Sequence, residues 1–203
     1  FALGPLCGIS SPDTVLQAVA ICDEIGIDTI SAGATLAFAM ECSERGLAGA
    51  DLSLRFGDDV ALLSTLRLIG ERRDIGDLLA EGSRRLSWRW GPEAVAIAPH
   101  VKGLEIPGYE PRALQSMALG FAVGTRGADH NRSGAYQVDF SNQVDRLDIQ
   151  AQDVHLAIET ENEAAVMDSL ILCKFLRGVF NDKYAEMARM LSLVVGWSVD
   201  AHE

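Results

Sequence analysis

Apolar residues recur at three- and four-residue spacing over most of the chain, which predicts a mainly helical protein. Ser11, Pro12 and Asp13 open a first run in which Val15, Leu16, Val19, Ala20 and Ile21 repeat up to Gly26. A serine cap, a proline in the first turn and a glycine stop together predict one helix there. A break at Gly26, Ile27 and Asp28 is followed by Ile30, Ala34, Ala37, Phe38 and Met40, which predict a second helix over residues 28–45 ending at Gly46. Residues 47–57 are rich in glycine and turn formers. Asp58 and Asp59 then open a third helix through Leu62, Leu63, Leu66 and Ile69, ending before Asp74. Residues 74–90 are expected to form one fourth helix, with Arg84, Arg85 and Arg89 near its C-terminus, closed by Gly91 and Pro92.

Between Ala94 and Pro111 the pattern shifts to short alternation broken by Pro99, Gly103, Pro107 and Gly108, predicting a linker or short strand. Leu114, Met117, Ala118 and Phe121 predict a helix from Pro111 to about Thr125. The polar stretch 126–148 is long for a connector, and such loops are usually functional or mobile; it holds Arg126, Asp129, His130, Asn131 and Arg132. Two further helices are expected, over residues 153–177 and 182–195.

With 203 residues, 48% of them hydrophobic, the chain can bury a core as one domain or as two small ones. The net charge of -12 repels nucleic acid and anionic membrane surfaces, so neither is an expected partner. The longest apolar candidate, residues 29–40, is interrupted by Ser31 and Thr35 and falls short of the roughly 18 residues that cross a bilayer. Cys7, Cys22, Cys42 and Cys173 form no Cys-x-x-Cys pair, which fits a reducing compartment, with the cytoplasm as default. The chain opens at Phe1 without a methionine or a secretory leader, and is expected to be a fragment.

Two short patterns share a carboxylate, a five-residue offset and a polar or ligating end: Asp23, Gly26, Ile27, Asp28, and Asp168, Leu172, Cys173. Each sits late in a predicted helix, where side chains and freed backbone groups could converge on one bound molecule. Alone, this pairing is readily explained by chance. It stands, however, among segments in a fixed order: residues 4–8 (GPLCG), 22–33 (CDEIGIDTISAG), 37–41 (AFAME), 102–107 (KGLEIP), 109–113 (YEPRA), 126–130 (RGADH) and 169–175 (SLILCKF). Together these resemble the tungsten-containing aldehyde ferredoxin oxidoreductase family across nearly the whole chain.

The resemblance implies a mainly α, multi-helical protein: the second and third domains of such an enzyme, here residues 1–98 and 99–203, without its N-terminal sheet domain. It implies a tungsten or molybdenum atom held by two pterin dithiolenes. Asp23, Gly26, Ile27 and Asp28 would grip one pterin, and Asp168, Leu172 and Cys173 the other. Cys173 is also implied as a ligand of a 4Fe-4S cluster, a role suited to soft thiolate. The other three cluster cysteines of the family lie before Phe1, so the remainder of the polypeptide would complete the cofactors. Ile171 stands where the pattern has glycine, and the backbone approach to the pterin is expected to differ there. His130 matches a histidine beside the metal that can move a proton near the substrate oxygen, while its glutamate partner falls before Phe1.

The implied activity is oxidation of aldehydes to carboxylic acids with ferredoxin as electron acceptor; oligomeric state is left open, a homo-oligomer included. Alternatives are a substrate of aromatic or other non-aldehyde type, a non-catalytic helical subunit that keeps the motifs as packing residues, and, weakest, a metal site made by the four cysteines. Plainer readings also stand for single residues. His130 could be a loop histidine satisfied by Asp129 or a carbonyl. Lys102 and Arg112 could hold phosphates but more often form ion pairs. Cys7, Cys22 and Cys42 suit apolar cores. Glu41 suits a solvated or paired carboxylate, Trp88 and Trp90 suit core packing, and His100, His155 and His202 suit surface or structural places.

Overall fold

The computed structural model describes residues 1–49 and 52–201. His202 and part of the glycine-rich 47–57 stretch lie outside the described residues. The protein is mainly helical, with α1 Pro12–Ile25, α2 Thr29–Glu44, α3 Asp59–Glu71, α4 Ile75–Leu79, α5 Gly82–Trp90, α6 Pro92–Ile97, then β1 His100–Val101 and β2 Leu104–Glu105. These are followed by α7 Gln115–Val123, α8 His130–Ser133, α9 Tyr136–Asp139, α10 Val154–Ser169 and α11 Lys183–Val195.

The first three helices start where capping chemistry places them. Ser11 accepts from the Thr14 amide, Asp28 from Ser31 and Asp58 from Ala61, each satisfying an orphan N–H of the first turn. Helix α2 is buried almost all round from Ala32 to Met40, as expected of a helix at the centre of a core. Gly33 lets it approach the chain start, because a Cβ there would sit 2.4 Å from the Ala2 carbonyl carbon. Leu36, Phe38 and Met40 join Ile21, Leu62, Leu66, Leu79 and Leu86 in one apolar cluster. A second, smaller cluster gathers Leu114, Met117, Phe121, Ala128, Ala135 and Ala157.

The antiparallel hairpin joins the two clusters. His100 pairs with Glu105 and Val101 with Leu104, and the connecting Lys102 and Gly103 both have positive φ, +56° and +97°, as a type I′ turn requires. Lysine is disfavoured in that conformation, but its Nζ donates to the Gly124 and Ala122 carbonyls at 2.6 and 3.3 Å, satisfying the C-terminal end of α7. Glu105 is buried, and its carboxylate accepts from the Ser83 amide, the Ser83 hydroxyl and the Thr35 hydroxyl at 2.9, 2.8 and 3.4 Å. Three donors make burial of that charge tolerable.

Four boundaries differ from the sequence expectation. Residues 74–90 form two helices, because Gly82, at the start of α5, takes φ +79°. Pro92 opens α6 as well as following the end of α5, so residues 92–97 are helical rather than strand or linker. Helix α7 begins at Gln115, not Pro111, and α10 stops at Ser169, well short of residue 177. The 126–148 stretch contains α8 and α9. Trp90 packs on Phe38 at 5.7 Å between ring centroids, but Trp88 is exposed and carries the Arg84 guanidinium over its ring at 4.7 Å, so it is not a core residue. No helix among the described residues is long and apolar enough to cross a membrane.

Candidate functional site

The two motifs adopt the same helix-ending turn. At the end of α1, Gly26 takes φ +72°, its amide donates to the Cys22 carbonyl, and the Ile27 amide donates to the same oxygen at 3.0 Å. At the end of α10, Ile171 takes φ +57° and the Leu172 amide donates to the Met167 carbonyl at 2.9 Å. These are equivalent six-to-one bonds of a Schellman cap. Asp23 therefore matches Asp168, Ile27 matches Leu172 and Asp28 matches Cys173 in position on the turn as well as in sequence. Isoleucine here adopts the left-handed conformation that glycine takes in the first turn, at a strain of about 1–2 kcal/mol.

Both turns act on the segment that carries His130. Asp28 ends the first motif and caps α2, whose first residues Thr29 and Ile30 line a cleft of about 490 Å³ together with Tyr109 and His130. The second motif meets the same segment through Asp168. Asp168 forms ion pairs with Lys174 at 2.7 Å and with Arg132 of α8 at 3.3 Å. Burial pushes the Asp168 carboxyl up, but the hydrogen bonds and charges of Lys174 and Arg132 outweigh it, leaving the carboxyl below its ordinary value.

His130 begins α8, where Asp129 accepts from the Asn131 and Arg132 amides at 2.9 and 3.2 Å and pairs with Arg126 at 2.8 Å. The Asp129 carboxylate is thus engaged elsewhere, and among the described residues no hydrogen bond holds the His130 imidazole. It is held by rings. Tyr109 stacks on it with ring centroids 5.0 Å apart, Tyr136 stacks on Tyr109 at 4.8 Å, and Tyr136 is also tilted toward His130 at 6.2 Å, so the three rings form a triangle. Burial lowers the His130 pKa from its ordinary value; Asp129 opposes this, Arg177 adds to it and Asp28 opposes it. The imidazole is therefore biased toward its neutral, proton-accepting form.

Arg177 was not legible as part of this site. Its Nη1 donates to the Tyr136 hydroxyl at 2.9 Å, while its buried Nε and Nη2 have no partner among the described residues. A buried guanidinium with unused donors suits an anionic ligand. Tyr109 and Tyr136 were missed as well, although Tyr109 opens the YEPRA segment and an aromatic beside a candidate histidine is the signal that could have found it.

The cysteines divide sharply. Cys7, Cys22 and Cys42 are buried, and burial pushes their thiols up to about 12, 11 and 11. They are core residues, not ready thiolates. Cys173 is exposed, so its sulfur is available as a soft ligand. Among the described residues no group of three or more His, Cys, Asp or Glu side chains could hold a metal ion. The donor set thus fits one corner of an iron-sulfur cluster, not a whole one. Asp23 and Asp28 are exposed carboxylates on the first turn, able to accept from the N–H-rich edge of a pterin.

The remaining residues of interest take plainer places. Arg112 pairs with Glu110 at 2.7 Å and holds that carboxyl down at about 2, Lys102 bonds backbone carbonyls rather than an acid, and Glu41 pairs with Arg45. His100 lies half-buried on β1, and His155 is exposed with its Nδ1 2.6 Å from the Gln152 carbonyl.

The model of the family described as "Aldehyde ferredoxin oxidoreductase, domains 2 & 3" matches residues 1–203. The chain is 34% identical, over its full length, to the tungsten-containing aldehyde ferredoxin oxidoreductase of Thermococcus kodakarensis, and 33% identical over 97% of its length to that of Pyrococcus furiosus. It is 29% identical over 94% of its length to the "Aliphatic sulfonate oxidoreductase, WOR-like subunit" of Pyrococcus furiosus. In each case it spans about a third of the relative, 34%, 33% and 29% respectively. With the ordered segments, the helical architecture and the family match coinciding over the whole chain, this protein belongs to the aldehyde ferredoxin oxidoreductase family.

Proposed function

We propose that this chain is the helical part of a tungsten or molybdenum pterin oxidoreductase that oxidises aldehydes to carboxylic acids and passes electrons through a 4Fe-4S cluster to ferredoxin. One observation carries the reading: two equivalent helix-ending turns, one closing on Asp28 and one on Cys173, of which the first sets its Asp28 charge on His130 and the second pairs Asp168 with Arg132, two residues from that histidine. Asp23, Gly26, Ile27 and Asp28 hold one pterin and Asp168 and Leu172 the other. The glycine of the first turn permits close backbone approach. Cys173 supplies one cluster ligand, and the remainder of the polypeptide supplies the others. When bound, the metal-pterin group takes up the electron pair released by the substrate.

His130 performs the proton work. Oxidising an aldehyde with water as oxygen source releases two protons and two electrons, and a neutral imidazole beside the substrate oxygen accepts one of those protons. Tyr109 and Tyr136 fix the ring and screen one of its faces, while Arg177 holds Tyr136 and disfavours a second positive charge nearby. The chain divides into two helical domains, residues 1–98 with the first motif and 99–203 with His130 and the second, a division that the two separate apolar clusters support. Buried, unpaired cysteines fit work in a reducing cytoplasm.

A second reading, a non-aldehyde substrate with the same cofactors, is favoured by the likeness to the sulfonate oxidoreductase subunit. Metal analysis of the complete polypeptide, with an aldehyde panel and a viologen acceptor, tests both. Tungsten or molybdenum with iron and aldehyde-dependent viologen reduction is expected. Metals with turnover of another substrate alone selects the second reading, and absence of both metals overturns both.

A further inference from the structure

Cys173 stands between two side chains that solvent alone would disfavour. Ile171 is 92% exposed and Phe175 is 93% exposed, more than any other large hydrophobic side chain described as exposed. Ile171 is also held at φ +57°, where a β-branched residue is a genuine outlier and where the equivalent turn has Gly26. Glycine at this position would remove both the backbone strain and the bare apolar surface. The isoleucine is thus unfavourable twice over within this chain, and a contact that offsets it must lie outside these residues.

The place of that contact follows from size. The four thiolates of one cluster lie within a cluster's width of each other, so a segment that supplies three of them must pass against the residues flanking the fourth. The chain spans 34% of its Thermococcus relative, which leaves ample polypeptide for such a segment. The turn around Cys173 is a fixed platform for it. The Leu176 amide donates to the Cys173 carbonyl at 3.0 Å, and Lys174 is tied back to Asp168 and to the Ala164 carbonyl at 2.7 and 2.6 Å, which draws its charge toward α10.

We infer that Ile171 and Phe175 form an apolar collar around Cys173 that docks the polypeptide segment carrying the other three cluster thiolates and keeps water from the cluster. The inference rests on Cys173 being a cluster ligand, as proposed above. The strained isoleucine is retained because its side chain is buried on docking.

The test is the rate at which a chelator, bathophenanthroline disulfonate, removes iron from the complete, cluster-loaded protein under anaerobic conditions. Its sign is decisive for Ile171→Gly. A side chain left in solvent would make the glycine variant lose iron at the wild-type rate or more slowly, because strain and exposed apolar area are both removed. A docked side chain makes it lose iron faster by about tenfold or more, the factor corresponding to lost burial of an aliphatic side chain. Phe175→Ser is expected to behave alike, with the far-ultraviolet circular dichroism of both unchanged. Iron loss at the wild-type rate or slower in either variant overturns the collar. If Ile171→Gly fails to accumulate with its cluster, the Phe175→Ser rate alone decides. Separately, Cys173→Ser that keeps all its iron overturns the ligand assignment beneath the inference, whatever the collar variants do.

Discussion

Replacing Asp139 should loosen the site from a distance, through a cap that joins parts of the chain far apart in sequence. Asp139 is buried at the end of α9, and its two carboxylate oxygens accept from the Ser116 and Met117 amides at 2.9 and 2.8 Å. Those amides belong to the first turn of α7 and have no other partner in a helix N-terminus. Asp139→Ala removes both charge-assisted bonds and strands two buried donors, a loss of about 2–4 kcal/mol. Asp139→Asn keeps one acceptor oxygen and should cost about half, roughly 1–2 kcal/mol. Hydrogen exchange of the complete protein, read by mass spectrometry, resolves the difference. Peptides covering α7 should lose roughly 30-fold to several-hundred-fold protection in the alanine variant, and about 5- to 30-fold in the asparagine variant. Because α9 also carries Tyr136, peptides across residues 130–140 should loosen too, while those of α1 to α3 stay unchanged. Equal effects of alanine and asparagine, or unchanged α7 amides, would refute the reasoning.

Other expectations follow from single contacts. Gly33→Ala places a methyl 2.4 Å from the Ala2 carbonyl carbon and should destabilise the protein by about 1–3 kcal/mol, seen as a lower urea midpoint with unchanged slope. His130→Gln should lower kcat by about 10²- to 10⁴-fold with tungsten and iron contents unchanged; loss of the metals instead would mean a structural role. Tyr109→Ala exposes the imidazole, so burial no longer lowers its pKa and the acid limb of the kcat profile should move to higher pH; no move, or a downward one, contradicts this. The linkage has a defined sign: since folding lowers the His130 pKa, the stability it contributes is complete above the ordinary value of 6.5 and declines as pH falls through that value toward the folded one.

How much of this was legible in the sequence depended on whether local chemistry or distant contacts set each feature. Helices α1 to α3 were legible because Ser11, Asp28 and Asp58 carry their own caps. The start of α7 was not, since its cap is Asp139, more than twenty residues downstream. The end of α10 was hidden for another reason: its stop is a left-handed isoleucine, and only likeness to the first motif, with glycine in that place, pointed to it. Gly82 splits residues 74–90 through a φ angle that periodicity does not reveal. At the candidate site, the order of the segments singles out the two motifs and His130, but the ring stack of Tyr109 and Tyr136 and the Arg177 guanidinium need the fold to bring them together.

The central claim is that two equivalent turns divide the labour, the carboxylates gripping the metal-pterin group and Cys173 holding the cluster. Metal and pterin content of three variants of the complete protein, Asp23→Ala, Asp168→Ala and Cys173→Ser, tests it directly. The account predicts that the two aspartate variants lose tungsten (or molybdenum) and pterin while keeping most of their iron. It predicts that Cys173→Ser loses cluster iron and retains most of its pterin. Full pterin in both aspartate variants, or full iron in Cys173→Ser, would contradict it.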